Sequence, residues 1–223
     1  MRPRLIEGIR RAAAVGRGAA LALLAGSALL AKGAHSAEPV ATGTPVATIE
    51  SLYQGLVALS RDRPRTALAE RYRVLEPLIE QTHDLPYIAE FALRRQWPAL
   101  SEAERARFVA AFEKLSVTTY ATRFENVTAD TFKIDAGAAD AAGAAEQARA
   151  EVKTAIVRPG ERDIPLEYLL QQKDGVWRII NIVADGVSDL ALKRAEYQRV
   201  LASGSIDDLI KHLDEQTAQL ERN

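Results

Sequence analysis

The stretch Ile164-Pro-Leu-Glu-Tyr-Leu-Leu-Gln-Gln-Lys-Asp-Gly-Val-Trp-Arg-Ile-Ile-Asn-Ile-Val-Ala-Asp185 decides the fold. Along Ile164–Lys173 apolar and polar residues alternate, so Ile164, Leu166, Tyr168 and Leu170 share one face of a strand. Asp174-Gly175 is a hairpin turn, and Val176–Asp185 is the returning strand. On simple parity, Ile180 and Ile182 fall on one face of it, and Trp177, Ile179 and Val183 on the other. A sheet covered on one face alone shows apolar-in, polar-out alternation. The departure predicts apolar material against both faces or an internal cavity, with C-terminal helices as the simplest cover for the second face.

Upstream, Arg149–Arg158 places Val152, Thr154 and Ile156 on one face, and Arg158-Pro-Gly-Glu161 turns the chain into the next strand. Thr128–Asp135 is a further strand, and the Ala, Gly and acid residues of Ala136–Ala148 read as a long solvated loop after it. The sheet expected is therefore a four-stranded antiparallel meander.

Helical periodicity flanks it on both sides. Ile49, Leu52, Tyr53, Leu56 and Leu59 make one apolar stripe, and Leu68, Tyr72, Leu75, Leu78 and Ile79 a second. Pro64 separates the two, and Pro77 predicts a kink or boundary near Glu76. Asp84-Leu-Pro86 opens a third helix with Asp84 as its N-cap, and Ser101-Glu-Ala-Glu104 is a capping box opening the longest. Ser188–Ala202 and Ser205–Leu220 are helical at the C-terminus. The fold class is α+β: N-terminal helices, sheet, C-terminal helices, with an apolar pocket expected between sheet and helices.

Chemistry is sparse. The 223 residues hold no cysteine, which removes thiolate catalysis, disulfides and cysteine-ligated metals. His83 and His212 stand at unrelated places, with no H-E-x-x-H spacing, and a local contact with Asp84 accounts for the first. Ser101, Ser188 and Ser205 are helix caps, and no Gly-rich phosphate loop exists. No catalytic residue, metal ligand or cofactor is assigned.

The net charge of −1 conceals an asymmetry. Residues 1–36 carry five arginines and Lys32 against the single acid Glu7, around the apolar run Ala19–Ala31. That run falls short of the roughly 20 residues that span a bilayer. Ala34 and Ser36 suit the −3 and −1 positions of a signal-peptide cut after Ser36. Residues 37–47 read as a flexible leader and 48–223 as one domain: 48–125 helical, 126–187 sheet, 188–223 C-terminal helices. Without residues 1–36 the chain has 23 basic and 29 acidic residues, a charge of −6 that argues against nucleic-acid binding.

Three sets of residues, taken in order, resemble the MlaC (toluene-tolerance) family of periplasmic phospholipid-binding proteins. The first is Asp84-Leu-Pro-Tyr-Ile-Ala-Glu-Phe-Ala92, with Trp97, Ser101, Arg105, Phe108, Phe112 and Tyr120. The second is Val152-Lys-Thr154, Tyr168, and Gly175-x-Trp177-Arg-Ile179 with Asn181-Ile182. The third is Asp185-Gly-Val-Ser188, Arg194-x-Glu-Tyr197, Gly204 and Asp208-x-Ile210. The Leu-Pro-Tyr helix and Ser188–Tyr197 are most similar to the hopanoid-associated HpnM branch. The chain departs from the family pattern at Asn181, where Asp is common, and at Arg94-Arg95, where a Gly is common.

The resemblance implies a soluble periplasmic shuttle for a phospholipid or hopanoid-type lipid. Its partners would be an inner-membrane ABC-transporter complex and an outer-membrane lipoprotein complex. Leu75, Leu78, Phe91, Phe108, Phe112, Leu166, Tyr168, Leu170 and Ile180 are the candidate pocket lining, although core and lining look alike in sequence. Two other classes stay open. One is a non-catalytic adaptor of a lipid-export system with a filled core. The other is a small isomerase- or dehydratase-type enzyme, for which Tyr168 is the inward-facing candidate.

Overall fold

The computed structural model describes residues 43–62, 67–142 and 148–222. The export segment 1–36 and the break at Pro64 lie outside the described residues. Helices α1 (Pro45–Asp62), α2 (Leu68–Thr82), α3 (Leu85–Leu93) and α4 (Glu102–Arg123) come first. Strands β1 (Phe132–Ala142), β2 (Arg149–Ile156), β3 (Ile164–Lys173), β4 (Val176–Ala184) and β5 (Val187–Ser188) follow, then helices α5 (Asp189–Leu201) and α6 (Ile206–Glu221). The α+β class and the order of elements are as expected.

Side-chain caps set the helix starts. Asp84 Oδ1 accepts from the Tyr87 N–H at 3.1 Å, and Ser101 with Glu104 closes a full capping box, each worth about 1 kcal/mol. Ser188 and Ser205 cap α5 and α6 in the same way. At the N-terminus Thr44 Oγ1 accepts from the Ala47 N–H, and Pro45 is the first helical residue. Helix α1 thus opens three residues inside the span read as flexible leader. Pro77 does not break α2, which runs through to Thr82. Pro77 and Arg73 lie on the exposed face, where water can serve the Arg73 carbonyl that lacks its helical donor.

The sheet is antiparallel throughout, in the order β1-β2-β3-β4-β5. It has five strands rather than four. After β4 the chain turns on Asp185-Gly186, both at positive φ (51° and 77°), and Val187-Ser188 pairs back on Ala184 and Val183. The first strand also differs from expectation. It begins at Phe132 and continues to Ala142, into the segment read as a loop. It pairs Ile134 with Thr154 and then Ala139 with Val152, so the intervening stretch bulges out of register. An edge strand can be held by its backbone, which small residues supply as well as large ones.

A second irregularity corrects the parity of β4. Ile179 pairs with Leu170 and Asn181 with Leu169, leaving Ile180 as an extra residue between them. This β-bulge switches the alternation midway. Ile179, Ile182 and Ala184 therefore stand opposite Leu170, Tyr168 and Leu166 on the inner face, and Ile180 does not share a face with Ile182. Much of the two-sided apolar pattern in this strand is the signature of the bulge.

Helix α1 lies across β1, β2 and β4, α2 and α3 meet β4, and α4 packs behind α2 and α3. Of the two C-terminal helices only α5 covers the sheet, against β4, while α6 packs on α4. Helices α1 and α2 approach closely: a Cβ at Gly55 would stand 2.4 Å from Leu78 Cδ2. Among the described residues no helix is long and apolar enough to cross a membrane.

Candidate functional site

The nine candidate lining residues divide between two places. Leu75, Phe108, Phe112, Leu166, Tyr168 and Leu170 belong to the buried hydrophobic core. Leu78 packs against that core and is half-buried. Phe91 and Ile180 instead line a cleft on the outer face, which the bulge at Ile180 opens.

Within the core, Tyr53 of α1 reaches the sheet. Its hydroxyl lies 2.7 Å from Thr154 Oγ1 and donates to the Tyr168 hydroxyl at 3.2 Å. Burial pushes the Tyr53 phenol up to about 12, and it pushes Tyr168 well above its ordinary value. Tyr168 thus has the Tyr53 hydroxyl as its polar partner and is held protonated. Aromatic contacts continue from there. Tyr53 stacks on Phe132 at 4.0 Å, Phe132 meets Phe124, Phe124 stacks on Tyr120, and Tyr120 meets His83. Tyr120, Phe124, Phe132 and Ile134 pack against the core yet keep accessible surface.

His83 is buried at the joint of α2 and α3. Nε2 lies 2.9 Å from the Tyr120 hydroxyl and Nδ1 lies 3.0 Å from Thr82 Oγ1. Its partners are therefore Tyr120 and Thr82 rather than Asp84, whose carboxylate caps α3. Burial pushes the imidazole down to about 4. Arg71, which sequence reasoning passed over, takes the inward position on α2 that periodicity gave to Tyr72. It is 3% exposed, pairs with Glu125 at 3.4 Å, and has no acceptor for Nε or the second Nη. A lone arginine within an apolar stripe gives no signal that separates a buried position from a surface one.

Two surface clefts flank the outer side of β4. The larger, about 350 Å³, is lined by charged groups of both signs, including Glu80, Asp84, Glu113, Lys173 and Arg178. Burial, and then the neighbouring Glu80 and Glu76, raise the Glu113 carboxyl. The smaller, about 220 Å³, holds Phe91 and Ile180 with Tyr87, Leu169, Leu190 and Arg194 around them. Arg194 and Arg94 stand over the Phe91 ring, 4.8 Å and 5.2 Å from its centroid.

Among the described residues no group of three or more His, Asp or Glu side chains is placed to hold a metal. The arrangement offers an apolar core with tyrosine and threonine hydroxyls inside it, one buried arginine at Arg71, and arginines at the outer cleft.

Comparison with known proteins agrees in direction. The sequence profile of the MlaC protein family matches residues 53–215. A solved phospholipid-binding protein from Ralstonia solanacearum, in complex with a phospholipid, has the same fold. Its TM-score is 0.67 at 21% identity, over 78% of this chain and 97% of that one. Among curated proteins none matches the chain.

Proposed function

Since the chain belongs to the MlaC family, we propose that it is a lipid-binding protein that encloses the acyl chains of a phospholipid between its sheet and its helices. The observation that carries this reading is the apolar wall along α2, α4 and β1. There Leu78, Tyr120, Phe124, Phe132 and Ile134 remain partly accessible beside a closed core. Leu75, Phe108, Phe112, Leu166, Tyr168 and Leu170 are the deeper walls. All six are buried, so enclosing a lipid there would require the helices to part from the sheet. The return is large: two chains of about 15 methylenes, at roughly 0.8 kcal/mol each, leave water with a gain on the order of 20 kcal/mol. A polar head group left at the mouth needs no catalytic residue, and Tyr168, held protonated beside the Tyr53 hydroxyl, makes a poor base.

The same reading assigns the chain to the periplasm as a shuttle, exported by residues 1–36. It would exchange lipid with an inner-membrane ABC-transporter complex and an outer-membrane lipoprotein complex. Support comes from the basic leader and the acidic body, which approaches anionic bilayers through partners rather than by adhesion. The test is extraction of the protein purified after export, followed by mass analysis of what it carries. One diacyl phospholipid per chain is expected. A hopanoid would move the assignment to the hopanoid-associated branch, and protein that binds neither lipid would be an adaptor.

A further inference from the structure

The outer cleft has a chemistry of its own, which acyl-chain enclosure in the core leaves unused. Its volume of about 220 Å³ lies below the roughly 300–1,000 Å³ of sites that enclose a drug-sized ligand. A two-chain lipid is excluded, and part of a slender molecule fits. Leu169 and Ile180 form an apolar floor, Tyr87 and Phe91 one wall, and Leu190 the other.

Two cations bracket this apolar space. Arg149 is exposed and borders it from β2, and Arg194 reaches it from α5. Arg194 donates through Nη2 to the Phe91 carbonyl oxygen at 3.3 Å, but its Nε is buried without an acceptor. A donor left unmet in this way is destabilising, and an anion beside it would satisfy it.

We propose that this cleft is a second binding site, for a single-chain amphiphile with an anionic end group. The end group pairs with Arg149 and Arg194, and the first carbons lie over Ile180 and Leu190. A fatty carboxylate and a lipid with one chain and a phosphate share this chemistry. The site stands independently of the core pocket.

The test titrates octanoate, octyl phosphate and octylammonium into the isotope-labelled mature protein, both loaded with phospholipid and stripped, and follows backbone amide resonances. Octanoate or octyl phosphate is expected to bind saturably in both preparations, shifting Phe91, Leu169, Ile180 and Leu190. The preferred anion should bind at least roughly ten-fold more tightly than octylammonium, and it identifies the end group. Arg149→Gln, at an exposed position, should weaken the anion roughly three-fold or more. Ile180→Trp should block the cleft while leaving both charges in place. Equal binding of octylammonium, shifts confined to the Tyr53, Phe132 and Tyr168 region, or no saturable shift with any probe would each overturn the proposal. Loss of phospholipid from the core, read separately by extraction, would count only against the core pocket.

Discussion

His83 shows how one buried side chain converts position into pH dependence. Its ordinary pKa of 6.5 falls to about 4 in the joint between α2 and α3. Between those values the unfolded chain takes up a proton that the folded chain refuses. Stability is therefore fully present above pH 6.5 and declines as pH drops, by up to about 1.4 kcal/mol per unit until pH 4. Glu113 acts in the opposite sense. Its carboxyl is raised by burial and by Glu80 and Glu76, so its contribution is lost as pH rises through the folded pKa. Urea unfolding of the wild type and of His83→Gln at several pH values separates the two. The wild type should lose roughly 2 kcal/mol more than the variant between pH 6.5 and pH 4.5, and parallel curves would refute the assignment. The imidazole's burial was not legible in sequence, because Asp84, its neighbour in the chain, is engaged with the helix it caps. Tyr120, its partner in space, is 37 residues away.

At the scale of elements, periodicity located the six α-helices of the described residues and the β2–β4 meander, because apolar faces and capping residues act locally. It missed what depends on register. The Ile180 bulge is one inserted residue, invisible to parity, yet it brings Ile182 and Ala184 inward after Ile179. Deleting Ile180 should restore strict alternation while Trp177, Ile179, Ile182 and Ala184 keep their inward places opposite β3. The loss is then that of one buried side chain, about 1.5–3 kcal/mol, measured by urea unfolding. Ile180→Val keeps the bulge and should cost only about 0.5–1.5 kcal/mol. Two segments escaped for other reasons. Ala136–Ala142 reads as loop by composition, yet its Ala139–Ala142 part pairs through its backbone at the sheet edge. The two-residue β5 depends on the left-handed turn at Asp185-Gly186 more than on side chains of its own. For the candidate site, sequence grouped nine apolar residues that the structure divides between the core and the outer cleft. It could not separate the seven around the core from Phe91 and Ile180, because that division follows from the bulge and from where α5 crosses β4.

For the whole molecule, the proposed interior makes stability depend on cargo. The chain has no disulfide to hold it, so closure of the core or occupancy by lipid must supply the cohesion. Verified lipid-free protein should melt at a lower temperature than loaded protein. Bound lipid at 100 times its dissociation constant adds about 2.7 kcal/mol, and equal melting would count against enclosure. The contact between Gly55 and Leu78 dictates how such an interior could widen. With Leu78 seated where a Cβ would otherwise stand, α1 and α2 interlock and resist sliding past each other. They behave as one lever. Its swing is resisted by the stacked rings of Tyr53 and Phe132 and by the reach of Thr48 to the Trp177 carbonyl oxygen. A bulkier residue at position 55 would therefore alter the mechanics of opening before it altered the chemistry of binding.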